Sequence, residues 1–236
     1  MAPKPREWMK PEDVEWLKVS QLKLGEGNFG KVFAGRLKLR GKKPISVAVK
    51  KFNPSIPITD GRGRIIDRHP FRVEDHLSEY ERAVSELKTA GIRIPKIAFV
   101  KHEGRTVQVS SIFQKEGKTK IMDARSFVRT GSIAAPQTLR VLTKLIERGY
   151  SPHFDSMGFI HNRYGLSPIV FDLDSFVING PFGASLQVED WLHTLFPDDA
   201  SRRKEALETL IDAAKHPEIR QGLLDLKKRR WFAQPP

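Results

Sequence analysis

The residues best suited to chemistry begin with Leu24-Gly25-Glu26-Gly27-Asn28-Phe29-Gly30-Lys31-Val32. Glycines hold the first, third and sixth positions of a short loop, with Leu22 and Leu24 before it and Val32 and Phe33 after it. The flanking apolar residues predict a hairpin whose tip has almost no side chains. Glycine costs little in a turn and leaves backbone N–H groups uncovered. Such a tip can lie directly on a string of phosphates, with Val32 closing over a flat base. A dinucleotide loop is followed by a helix, but here Lys31-Val32-Phe33-Ala34-Gly35-Arg36-Leu37 alternates like a strand. A second stretch is Ile169-Val170-Phe171-Asp172-Leu173-Asp174. An aspartate at the end of a buried strand is costly unless it is paired or bound to a metal.

Downstream of the glycines comes Val47-Ala48-Val49-Lys50. The glycine spacing, the valine two residues past the last glycine and this V-A-V-K together resemble the protein-kinase superfamily. The resemblance implies a nucleotide-phosphate loop at Leu24, Gly25, Gly27, Asn28, Phe29 and Gly30, with Val32 and Ala48 at the base and Lys50 anchoring ATP. Strand parity places Val47, Val49 and Lys51 on one face and Ala48 and Lys50 on the other. If Ala48 lines the adenine slot, Lys50 points into it and Lys51 does not. In kinases a glutamate on the following helix holds the lysine toward the phosphates. Glu79 and Glu81 both flank the apolar stripe of that helix, and the reading leans to Glu81.

His153-Phe154-Asp155 resembles the kinase catalytic loop, with phenylalanine where the family has arginine. Asp155 would accept the proton of the attacking hydroxyl. Asp172 sits where the D-F-G aspartate would sit and would hold Mg²⁺, which takes hard oxygen ligands. The family's asparagine belongs five residues after the catalytic aspartate, where this chain has Ile160. Asn162 comes two residues late; it or Asp174 completes the metal site, or the second metal ligand is missing. Asp174 replaces the glycine of D-F-G, and no Ala-Pro-Glu closes an activation segment. A short segment and an arginine-free His-x-Asp argue against control by activation-loop phosphorylation. Asp190 is either the buried aspartate that supports the catalytic loop or an ordinary helix acid.

These residues need a scaffold that presents a hairpin and a strand from one side and two carboxylates from the other. The expected fold is α+β and bilobal, kinase-like, with a five-stranded antiparallel N-lobe sheet, one main helix and a reduced, mostly helical C-lobe. Proline and acids at 11–13 predict a helical extension over 1–19. The kinase-like domain then covers 20–236, with an N-lobe at 20–113, a hinge at 114–119 and a C-lobe at 120–236. Within it, 20–40 is the glycine hairpin, 45–52 a strand, 53–72 an exposed loop and 73–90 a helix. Two strands follow at 96–100 and 106–113. Leu139, Leu142, Leu145 and Ile146 mark a helix capped by Gly149. Residues 158–162 and 168–173 form a hairpin, and helices fill 186–196, 199–215 and 217–230. Ala90-Gly91-Ile92-Arg93-Ile94-Pro95 resembles the helix-to-strand joint of compact RIO-like kinases. The chain is similar in its economy to these and to kinases that bacteria inject into host cells.

The chain has 236 residues, 39% of them hydrophobic, enough for one domain of two lobes or for two small domains. It has no cysteine, which excludes disulfides and thiolate metal sites. No apolar window long enough to span a membrane is present, and the N-terminus lacks the apolar core of a secretory signal. A cytoplasmic protein, or one delivered into a host cell, is expected. A net charge of +13 favours anionic partners, either acidic protein surfaces or nucleic acid. The densest run, Lys227-Lys228-Arg229-Arg230, is either a basic tail or the last turn of a helix. The expected function is ATP- and Mg²⁺-dependent phosphoryl transfer to a protein serine or threonine, by a minimal kinase without a regulated activation loop. The alternatives are a pseudokinase that binds a nucleotide or a partner, and a small-molecule kinase.

Overall fold

The computed structural model describes residues 9–59, 65–111, 120–123, 135–151, 156–162, 165–177 and 184–229. The chain divides into two compact units, Met1–Leu77 with Pro95–Ile112, and Ser78–Ile94 with Phe113–Pro236. The expected hinge, 114–119, lies outside the described residues.

The first unit is built on a five-stranded antiparallel sheet. Its strands are β1 (Val14–Gly27), β2 (Gly30–Leu39), β3 (Ile45–Phe52), β6 (Ile97–His102) and β7 (Arg105–Ser111), in the order β1-β2-β3-β7-β6. Strand alternation decides its two faces. Leu37, Leu39, Val47, Val49, Val100, Val107 and Val109 are buried together with Met9, and Val14, Leu17 and Val19 pack on them. Each such side chain, fully buried, contributes about 1.5–3 kcal/mol. The turn between β6 and β7 carries Glu103 and Gly104 at φ 51° and 76°, the left-handed pair that a tight two-residue hairpin needs.

Two expectations are corrected in this unit. Residues 14–19 are not helical. Only a 3₁₀ turn forms at Pro11–Asp13, and Val14 already opens β1. Leu17 faces Leu37 and Val19 faces Gly35 across the ladder, so pairing with β2 overrides the helix-start signal. Nor is 53–72 simply a loop, because β4 (Ser55–Thr59) and β5 (Ile65–Pro70) pair as a second hairpin. A 3₁₀ turn at Val73–His76 leads into α1 (Leu77–Thr89).

All but the first residue of α1 groups with the second unit, which moves the boundary expected for the N-lobe. Its buried face is Tyr80, Ala83 and Leu87. The unit continues with β8 (Lys120–Asp123), α2 (Ala135–Glu147), β9 (Met157–Asn162) and β10 (Gly165–Val170). The three strands form a sheet in the order β10-β9-β8, so this part is less purely helical than expected. Helix α2 buries Leu142, Leu145 and Ile146, and Gly149 at φ 82° ends it, with the Tyr150 N–H returning to the Leu145 carbonyl. After a single turn, α3 (Asp174–Val177), come α4 (Ala184–Leu195), α5 (Ala200–Ala213) and α6 (Pro217–Lys228). Val188, Trp191, Leu192, Leu207, Leu210, Leu223 and Leu226 are buried there. Asp199 caps α5 by accepting the Arg202 N–H at 2.9 Å, and Pro217 starts α6. Among the described residues, no helix is long and apolar enough to cross a membrane.

Candidate functional site

In the first unit the glycine hairpin is the tip of β1 and β2, reached after register shifts between Val19 and Lys23 and between Lys23 and Gly25. Gly25 pairs with Val32, Glu26 with Lys31 and Gly27 with Gly30, leaving Asn28 and Phe29 as the turn. Asn53 clamps that turn. Its amide donates to the Asn28 carbonyl at 3.0 Å and its N–H to the Phe29 carbonyl at 2.9 Å. The three glycines differ in what demands them. A Cβ on Gly30 would stand 2.4 Å from the Lys51 carbonyl oxygen, so β3 fills the space of a side chain there. A Cβ on Gly25 or Gly27 would meet nothing within 4 Å, and neither residue has a left-handed φ. Neither conformation nor packing among the described residues explains those two. Leu24 is half exposed beside them, at 50%.

The ladder fixes what lies beside the glycines. Gly25 is opposite Val32, Val32 opposite Lys50, Lys50 opposite Gln108, and Gln108 opposite Phe99. Cross-strand partners share a face, so one row runs from the glycine hairpin through Lys50 to a buried glutamine. The next row carries Ala34, Ala48, Ser110 and Ile97. The expected parity is present: Val47 and Val49 are in the core, while Ala48 and Lys50 are half-buried on the opposite face. The Lys50 ammonium lies 6.0 Å from the centre of the Phe52 ring, within cation–π range. Phe52 in turn stacks on Phe99 at 6.4 Å. Lys51 reaches the other way, to Glu103 at 3.4 Å and to the Phe33 ring at 6.0 Å. Glu26, the acid of the glycine loop, is held by Lys23 at 2.7 Å and Lys31 at 3.4 Å. The Lys23 hydrogen bond, and then Lys31, hold its carboxyl below the usual range. Two lysines against one carboxylate leave the hairpin cationic.

In the second unit Asp172 follows the buried Ile169 and Val170 of β10 and is itself half-buried. The Phe171 N–H donates to the Ser156 carbonyl at 2.9 Å and the Asp172 N–H to the same oxygen at 3.4 Å, while the Val170 N–H bonds the Arg93 carbonyl at 3.0 Å. Ser156 is the residue after Asp155, so the chain just past one candidate carboxylate is bonded to the backbone of the other. Asp155 itself lies outside the described residues. Asn162 ends β9 opposite Gly165, and its side chain also lies outside them.

Asp174 is fully buried and accepts the Tyr80 hydroxyl. Burial, and then the negative charge of Asp174, push the Tyr80 phenol far above its ordinary range. One oxygen of Asp174 is thus engaged with α1. On α1, Glu79 is half-buried at the edge of the Tyr80–Ala83–Leu87 face and accepts from the Ser78 hydroxyl at 3.0 Å, whereas Glu81 is exposed. Glu81 is the more exposed of the two, because 100° per residue turns position 81 away from that face. Asp190 is exposed next to the fully buried Trp191, an ordinary helix acid.

Mg²⁺ is held by one or two carboxylates, with phosphates and water completing an octahedron. Asp172 fits that demand with a hard, half-buried oxygen pair, one oxygen of which takes the Asp174 N–H at 3.1 Å. Among the described residues no group of three or more His, Asp or Glu side chains forms a cage for a metal.

The basic run near the C-terminus is not a free tail over its described part. Lys227 pairs with Glu208 at 2.7 Å, Lys228 with Asp225 at 2.9 Å and Arg229 with Glu189 at 3.2 Å. Sequence reasoning missed Gln108, Asn53 and Tyr80. The alternation of β7 could have placed Gln108 on the lysine face, but nothing local marks the other two.

No family model matches the chain. Over 45 residues, 19% of the chain, it is 49% identical to ephrin type-B receptor 1 of Gallus gallus and, over the same length, to ephrin type-B receptor 1-A of Xenopus laevis. The match spans 4% of the length of those curated relatives. Among solved structures the chain is similar to one described as "PpkA-294 apo form", at 14% sequence identity and a TM-score of 0.44, covering 95% of this chain and 99% of that one.

Proposed function

We propose that this chain is an ATP- and Mg²⁺-dependent phosphotransferase acting on a protein serine or threonine hydroxyl. The observation that carries the reading is the contrast among the loop glycines. Gly30 is demanded by β3, whereas Gly25 and Gly27 are demanded by nothing described. A ligand that must touch the backbone explains them. They share a sheet face with Val32 and Lys50, and a backbone bare of side chains, which lets a ligand approach closely, beside an ammonium suits a polyphosphate.

In this reading Lys50 binds the α- and β-phosphates, held by Glu79 or Glu81, and Val32 and Ala48 cover the base. Asp172 and Asn162 would hold Mg²⁺, which supplies charge neutralisation between the phosphates when bound. Asp155 orients the attacking hydroxyl and takes its proton, a role worth about 10²–10⁴-fold in rate. The intrachain bonds from Ser156 to Phe171 and Asp172 support this, because they tie the two carboxylate-bearing segments together.

The burial of Asp174 favours one second reading. If Asn162 does not reach the metal, a single carboxylate remains, and the chain binds nucleotide without turnover. Incubation with labelled ATP and Mg²⁺ separates the two. Autophosphorylation or labelling of a generic protein substrate is expected, and Asp155→Ala should abolish it. Metal-independent ATP binding with no labelling would support the binding module instead.

A further inference from the structure

We propose that Tyr80 is a positioning residue for the metal-binding carboxylate, through a relay that runs Tyr80–Asp174–Asp172. This rests on the phosphotransferase reading and names what sets its metal site. The Tyr80 ring is fully buried on α1, and its hydroxyl donates to the Asp174 carboxylate, which is also fully buried. The N–H of the same Asp174 donates to Asp172 Oδ1 at 3.1 Å. One residue thus uses its side chain to grip a helix and its backbone to aim the candidate metal ligand.

The relay is well anchored. Val170 hangs from the Arg93 carbonyl and Phe171 from the Ser156 carbonyl. Between those anchors and α3, the Asp172 side chain is steered by where residue 174 sits. Residue 174 sits where Tyr80 holds it, since a buried carboxylate keeps the geometry that satisfies it. Glycine at this position could supply the N–H but not the grip on α1. The aspartate therefore makes the carboxylate's aim depend on the position of α1, the helix that carries Glu79.

The test measures ATP binding by calorimetry across a Mg²⁺ titration, alongside turnover. Wild-type protein should bind ATP more tightly as Mg²⁺ rises, and Asp172→Ala should lose that dependence. Tyr80→Phe, which removes one oxygen and keeps the ring, should leave metal-free ATP affinity unchanged and raise the Mg²⁺ needed for half-maximal binding about 10–100-fold, the usual cost of losing an outer-shell partner. Saturating Mg²⁺ should restore its kcat. Asp174→Asn keeps an acceptor oxygen without the charge and should raise the requirement less, by a few-fold. An unchanged Mg²⁺ requirement in both variants, with Asp172→Ala still defective, overturns the relay and leaves the phosphotransferase reading standing. Wild-type binding that ignores Mg²⁺ overturns both.

Discussion

Alanine at each loop glycine should separate a residue kept for the fold from residues kept for a ligand. At Gly30 the new Cβ would sit 2.4 Å from the Lys51 carbonyl oxygen and 3.1 Å from the Phe52 Cα, both backbone atoms that cannot swing away. Overpacking of that kind costs about 1–3 kcal/mol. For a chain of this size each kcal/mol moves the thermal midpoint by about 2–4 °C, so Gly30→Ala should unfold several degrees early. At Gly25 and Gly27 the Cβ enters open space at an ordinary φ. Replacing glycine there removes freedom from the unfolded chain and should stabilise by about 0.4–1 kcal/mol.

The same two changes put a methyl group where phosphates would touch the backbone. Losing one charged hydrogen bond costs about 1.5–3 kcal/mol, or on the order of 10- to 100-fold in ATP affinity. Gly25→Ala and Gly27→Ala should therefore raise the melting temperature slightly and weaken ATP binding strongly. Differential scanning calorimetry and ATP titration on the three variants read both quantities. ATP affinity unchanged in Gly25→Ala and Gly27→Ala would refute the phosphate-loop reading, whatever the melting temperatures did.

Three further outcomes are expected. Lys50→Met should leave the fold intact and cut ATP affinity and turnover, because Lys50 faces away from the core; a large fall in melting temperature with ATP binding retained would assign it to structure instead. Glu74 accepts from the Thr106 hydroxyl and from Lys101 at 2.9 Å, and these bonds, Thr106 first, hold its carboxyl at about 2, below its ordinary 4.5. A depressed carboxyl gives stability that is full above pH 4.5 and drains away as the pH falls toward 2, so Thr106→Val should lower the melting temperature at pH 7 and flatten the acid limb, its difference from wild type closing as the pH nears 2. Arg203 is buried and gives its guanidinium to the carbonyls of Phe196, at 2.6 Å, and Pro197. Arg203→Met should therefore destabilise by about 1–3 kcal/mol in urea unfolding, leaving those carbonyls unmet, and a neutral result would show that water replaces the side chain.

Local pattern was enough wherever one element's own periodicity carried the signal. The spacing of Leu139, Leu142, Leu145 and Ile146 with Gly149 behind it marks α2, and the alternation Val47-Ala48-Val49-Lys50 already separates the core side of β3 from the lysine side. The glycine hairpin was legible for the same reason, since its ladder joins residues close in sequence. The tertiary structure decided whatever depended on a distant partner. Residues 14–19 became a strand because β2 offered hydrogen bonds along their length, and a six-residue stretch is too short for its own helix signal to win. Which loop glycines are structural could not be read from three identical letters, because the answer lies in where β3 passes. In sequence Asp174 stands only as the replacement of the D-F-G glycine and a candidate metal ligand, yet it is buried and met by Tyr80 from a helix 94 positions earlier. Burial and pairing of polar groups belong to the packed chain, and the chemistry of this site rests on them.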